Sequence, residues 1–155
     1  RIAHAEALSR PQFTFIFINT EKAMTNNQDT QTDTAQTKPP VTIITNAAKF
    51  QLGQCVATPG ALALLERTGF SSAYLINRHL HGDWGDVCEE DAGLNEMALK
   101  DGSRIMSVYR LVPAEKLKAT PRSKRSDLPT VWIITEAEGD DGRRASTCVL
   151  LPEDY

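Results

Sequence analysis

The sequence predicts an α+β domain: about three helices packed on a C-terminal antiparallel meander of three to four strands, preceded by a largely disordered N-terminal tail. Three observations carry this. Residues 58–102 show helical spacing with clear caps, residues from 104 onward form short runs rich in β-branched and aromatic side chains, and a long polar interval precedes both. A chain of 155 residues, 41% hydrophobic and 24% charged, has room for one ordinary core and excludes two large domains.

Residues 1–47 are read as the tail. Between 25 and 40 the chain runs TNNQDTQTDTAQTKPP, where polar side chains compete for backbone hydrogen bonds and little apolar surface offsets the entropy of ordering. The flanking runs FTFIFI (13–18) and VTII (41–44) read as loose β-like segments, and Met24, the first methionine, is a candidate translation start. No apolar run approaches the roughly 20 residues of a membrane helix, so a cytoplasmic protein without membrane contact is expected. Cys55, Cys88 and Cys148 are odd in number and lack Cys-x-x-Cys spacing. They read as reduced thiols, with Cys55 and Cys148 as packing residues.

Residues 48–155 are read as the single domain. Thr58 and Pro59 give an N-cap and a preorganised first helical residue; Leu62, Leu64 and Leu65 form an apolar stripe, and Gly69 ends the helix. A second helix begins at Ser71 or Ser72, is expected to bury Tyr74, Leu75 and Leu80, and stops at Gly82. A third runs from Glu89 to Lys100 with acidic residues in its first turn, where the helix dipole favours them, and with Leu94, Met97 and Ala98 as its expected inner face. Strands follow in RIMSVYRL, TVWIITEA and STCVLLP. The connector EGDDGRR is a turn by composition, and residues 112–129 read as a longer, basic hairpin loop.

The net charge of -3 hides a polarity. Residues 83–101 hold seven acidic side chains against Lys100 alone, whereas residues 112–129 hold five basic against two acidic. The acidic helix is a solvated face or a docking face.

The densest reactive segment is RHLHGDWGD, which contains two of the three histidines. His79 or His81 could serve as acid or base, with a carboxylate holding the tautomer. Arg78, Asp83, Trp84, Asp86 and, on the next helix, Asn95 are candidate binding residues. Metal is not expected: histidines two apart on a helix point about 200° from each other. A purely structural reading stands beside the chemical one, in which Arg78 and the histidines complement a helix C-terminus, Gly82 is its left-handed cap and Trp84 plugs the core. A second cluster lies on the strands, where Arg104, Ser107, Tyr109, Thr135, Arg144 and Thr147 could converge across one sheet face and bind phosphate, or could be its ordinary polar residues.

The frame RHLHGDWGD, VWIITEAE and LLPEDY resembles a family of small bacterial proteins encoded on plasmids and integrative elements, some labelled type I restriction endonuclease subunit M. The resemblance covers residues 50–155. It implies a mobile-element setting and a fold unit, but no activity. The restriction label does not suit the chain, which holds neither a methyltransferase's glycine-rich cofactor loop nor its Asn-Pro-Pro-Tyr type motif. After WIITEA the family pattern continues Asp-Arg-Ser, whereas this chain has the longer EGDDGRRAST.

Two functions follow as expectations. One is a cytoplasmic accessory protein of a mobile element acting on a host or defence protein, or on RNA, without a cofactor. The other is a metal-independent ribonuclease, since helices followed by a meander resemble barnase-like and RelE-type toxins. There His79 or His81 would act as acid or base, Arg104 or Arg144 would neutralise phosphate, and Tyr109 or Thr147 would orient it. The accessory reading stands first and the ribonuclease is its alternative.

Overall fold

The computed structural model describes residues 16–17 and 48–155. The elements in chain order are β1 (Ile16–Phe17), β2 (Gln54–Ala57), α1 (Pro59–Thr68), α2 (Ser72–Leu80), α3 (Glu89–Asp101), β3 (Ile105–Arg110), α4 (Ala114–Ala119), β4 (Thr130–Thr135) and β5 (Ser146–Leu150). Two 3-10 turns, Arg122–Asp127 and Pro152–Asp154, complete them. The class is α+β. The disorder expected for residues 25–40 and the VTII run lie outside the described residues; from FTFIFI, Ile16 and Phe17 pair antiparallel with β2.

The sheet order is β1-β2-β5-β4-β3. The meander β3–β4–β5 is antiparallel as expected, with Ser107 opposite Ile133 and Thr135 opposite Thr147. The sheet as a whole is mixed, which corrects the purely antiparallel expectation: β2 runs parallel to β5, with Cys55 opposite Thr147. β2 has only four residues and directly precedes a helix cap, so no local pattern marks it. Its partner lies about ninety residues later, beyond the reach of periodicity.

Local chemistry sets the helix ends. The Thr58 hydroxyl accepts from the Ala61 N–H, and Gly69 closes α1 with φ +73°. At the end of α2, the Gly82 N–H donates to the His79 carbonyl and the Asp83 N–H to the Arg78 carbonyl, a Schellman closure that requires Gly82 at φ +81°. α3 starts on the Cys88 thiol, which accepts from the Asp91 N–H, and ends on Gly102.

One face of the sheet carries the main core. Alternate positions Cys55, Ala57, Tyr109, Val131, Ile133 and Val149 pack against Ala61, Leu64 and Leu65 of α1 and Leu75 and Ile76 of α2. Tyr74, expected inside, is 58% exposed: it stands one residue before Leu75 on the solvent side of α2.

α3 departs further from expectation. Leu94 and Met97 are 57% and 59% exposed, while Asn95 is buried beside Ala98. The cause is β3, an edge strand whose outward backbone groups need partners. The Asn95 carboxamide donates to the Met106 carbonyl and accepts from the Met106 N–H, standing in for a peptide of a neighbouring strand. The GDWGD turn does the same for the next outward residue. The Val108 N–H donates to the Trp84 carbonyl, and its carbonyl accepts from the Asp86 N–H. Gly85 is obligatory there, with φ +73° and the space for a Cβ already filled by the Val108 carbonyl. Asn95→Asp keeps the acceptor and removes the donor, so a loss of about 2–3 kcal/mol in urea unfolding is expected. A loss below about 0.5 kcal/mol would show that the amide pairing is dispensable.

Residues 112–129 are not an open hairpin loop. They fold into α4 and the turn Arg122–Asp127, pinned by Asp86: its carboxylate accepts from Arg110 Nε at 3.0 Å and from an Arg125 guanidinium N–H at 2.5 Å. Burial pushes the Asp86 carboxyl upward, but the bonds from the two arginines prevail and hold it below the usual range.

Candidate functional site

The histidine segment and the polar strand residues meet inside the domain. His79, in the last turn of α2, is fully buried, with its ring against Phe50 (edge-on, 5.2 Å between centroids) and Trp84 (edge-on, 5.9 Å). Its Nδ1 lies 2.6 Å from the Ser107 hydroxyl and its Nε2 2.9 Å from the Thr135 hydroxyl. Thr135 lies 2.7 Å from Thr147 across the β4–β5 ladder, and Thr147 donates to the Leu52 carbonyl at 2.6 Å.

Counting hydrogens fixes the direction of this chain. A carbonyl only accepts, so the Thr147 hydrogen is committed to Leu52. Thr135 must then donate to Thr147, and the His79 Nε2–H to Thr135. In the neutral ring Nδ1 is left as the acceptor for the Ser107 O–H. One tautomer therefore satisfies every buried group from Ser107 to Leu52. Burial and the nearby Arg144 charge hold the His79 pKa down at about 3, so the ring is neutral near pH 7.

Arg144 is the second buried centre. Its guanidinium donates to the carbonyls of Ser103 (2.7 Å), Glu136 (2.8 Å) and Ala98 (3.0 Å), closing the C-terminus of α3 onto the start of β3 and the end of β4. Its Nε has no hydrogen-bond partner among the described residues and lies 3.8 Å from the Glu138 carboxylate. Phe50 lies between the two centres, with the Arg144 guanidinium 5.7 Å from its ring centroid.

The remaining candidates face elsewhere. His81 is half-buried, two residues past His79, with Nδ1 donating to the Asn77 carbonyl at 2.7 Å. Arg104 is exposed and holds the Tyr155 hydroxyl at 2.8 Å and the Glu136 carboxylate at 3.4 Å. Tyr109 is buried; its hydroxyl donates to the Asp83 carbonyl, and burial raises its pKa. The Arg78 guanidinium lies 4.7 Å from the Tyr109 ring centroid and binds the Asp83 carboxylate at 2.7 Å. Trp84 is 7% exposed and donates its indole N–H to Glu96. Asp86 and Asn95 secure the β3 edge.

The structure thus joins His79 and Thr147 through Thr135, and sets Arg144 beside them across Phe50. It does not gather the six catalytic candidates around one opening. Three surface hollows of about 590, 170 and 130 Å³ are lined by neither histidine; Arg104 borders the second and Tyr109 the third. Among the described residues, no group of three or more His, Cys, Asp or Glu side chains is placed to hold a metal ion. No described helix is long and apolar enough to cross a membrane.

Sequence reasoning placed Ser107 and Thr135 in a possible phosphate-binding cluster rather than against His79, and overlooked Phe50 and the Leu52 carbonyl. Their signal is the strand alternation that places 107, 135 and 147 on one face, together with a histidine one helical turn after the apolar pair Leu75 and Ile76. The Cys148 thiol is raised to about 11 by burial and by the Asp154 and Glu136 carboxylates, which makes it a packing group rather than a nucleophile. No protein-family model, no curated protein and no solved structure matches this chain.

Proposed function

We propose that the protein is a small accessory protein of a mobile genetic element that works by binding a protein partner, without catalysis of its own. The observation that carries the binding reading is the enclosure of His79: both ring nitrogens are bonded to threonine and serine hydroxyls within a closed core, so no face of the ring meets a substrate. The mobile-element setting rests on the resemblance carried by RHLHGDWGD, VWIITEAE and LLPEDY.

A protein partner fits better than RNA. The chain carries a net charge of -3, which opposes a polyanion, and Arg78, Arg104, Arg110 and Arg125 each already hold a carboxylate while Arg144 is buried. The ribonuclease alternative makes a distinct prediction. Incubated with total RNA, the purified protein is expected to leave the RNA intact, and His81→Ala and Arg104→Ala to behave identically. Cleavage by the parent protein that disappears in His81→Ala would replace the binding reading with the enzymatic one.

A further inference from the structure

Building on the binding reading, we propose that the outward face of α3 is the docking surface, and that its occupant is a basic amphipathic helix of a partner protein. At 3.6 residues per turn, Glu90, Gly93, Leu94, Met97 and Asp101 fall on one stripe, opposite the Asn95 and Leu99 side that packs inward. All five are exposed. Leu94 and Met97, one turn apart, are two of the most exposed large apolar side chains among the described residues. No stability argument places them there. The same helix turns a polar Asn95 inward, so its apolar residues are free to serve another contact.

The glycine points the same way. Gly93 sits inside the helix, where it costs about 1 kcal/mol relative to alanine, and it has positive-φ geometry to explain it nowhere in this turn. A Cβ there would meet nothing within 4 Å among the described residues. No contact among them therefore requires the missing side chain, whereas the backbone of a docked helix could approach closely at that point.

Charge selects the occupant. The apolar pair is bracketed along the stripe by Glu90 and Asp101, with Glu89 and Glu96 flanking it and Lys100 as the one cation of the helix. An apolar anchor site with an acidic rim complements a helix that presents leucine-type side chains at i, i+3 and i+4 and lysine or arginine around them. An acidic partner is repelled. Met97 adds an adaptable surface of the kind that accommodates varied apolar anchors.

The probes are two 18-residue peptides of identical leucine and lysine content, one patterned as an amphipathic helix and one scrambled. Binding to the full chain is followed by calorimetry and by amide chemical shifts. The patterned peptide is expected to bind at least about ten-fold more tightly than the scrambled one, with shifts centred on residues 90–101. Leu94→Ser with Met97→Ser should erase that preference while leaving the thermal midpoint unchanged, because both side chains are exposed. Equal binding of both peptides, or a preference that survives the double substitution, overturns the proposal. So does concentration-dependent dimerisation of the parent chain abolished by the same substitutions, since the occupant would then be a second copy. RNA cleavage would end the binding reading itself; absence of a peptide preference in the parent chain, without cleavage, removes only the α3 assignment.

Discussion

His79→Ala is expected to destabilise the domain by about 4–6 kcal/mol, a large share of the roughly 5–15 kcal/mol that holds a domain of this size together. Two costs combine. Deleting a fully enclosed ring between Phe50 and Trp84 leaves a cavity that the sheet cannot close, and the Ser107 and Thr135 hydroxyls lose their partner in a site without water access. His79→Phe separates the two, because it fills the volume and supplies no hydrogen bond; a loss of about 2–4 kcal/mol is expected for it. Urea unfolding with unchanged m-values would measure both.

The same residue gives the stability a pH dependence of known sign. Its pKa is about 3 in the folded chain and near 6.5 when unfolded. Below pH 6.5 the unfolded state takes up a proton that the folded state refuses. The contribution is therefore fully present above pH 6.5 and is lost as pH falls towards 3, at up to about 1.4 kcal/mol per pH unit. His79→Phe should remove this component of the slope.

Arg144→Met is expected to cost about 3–5 kcal/mol. The arginine fork donates to three carbonyls drawn from α3, the segment before β3 and the end of β4; methionine leaves the Ala98 carbonyl with the Gly102 N–H alone and strips the part-buried Ser103 and Glu136 carbonyls of this donor. Arg144→Lys should recover only part of the loss, because an ammonium cannot span three separated acceptors as a planar guanidinium does. Hydrogen exchange should localise the damage: amides at the end of α3 and around residues 103–105 lose protection first, while α1 keeps its own. Uniform loss of protection across the domain would mean that Arg144 is not the local clamp described here.

Residues whose structure is set by near neighbours were legible in the sequence. Thr58, Gly69, Gly82 and Gly102 terminate helices through bonds made within a few positions, and Trp84 is buried as its GDWG context implies. What escaped detection depends on distant partners. Gln54–Ala57 becomes a strand only because β5 returns beside it, and Asn95 turns inward only because β3 is an edge that needs a carboxamide. Ser107, Tyr109, Thr135 and Thr147 did share a face, as alternation suggested, whereas Arg104 lies outside it. Which face the helices cover is a tertiary fact, and it turned Ser107, Thr135 and Thr147 towards His79 rather than towards an open pocket.

The central claim is that His79 is an enclosed, neutral group locked in a single tautomer. A long-range proton–nitrogen correlation spectrum of the imidazole, recorded from pH 8 down to pH 5, tests it directly. The account predicts a protonated Nε2 and an unprotonated Nδ1, both unchanged over the whole range. A titration midpoint between about pH 5.5 and 7.5, the range of an ordinary solvated histidine, would contradict it and return His79 to the set of groups available for proton transfer.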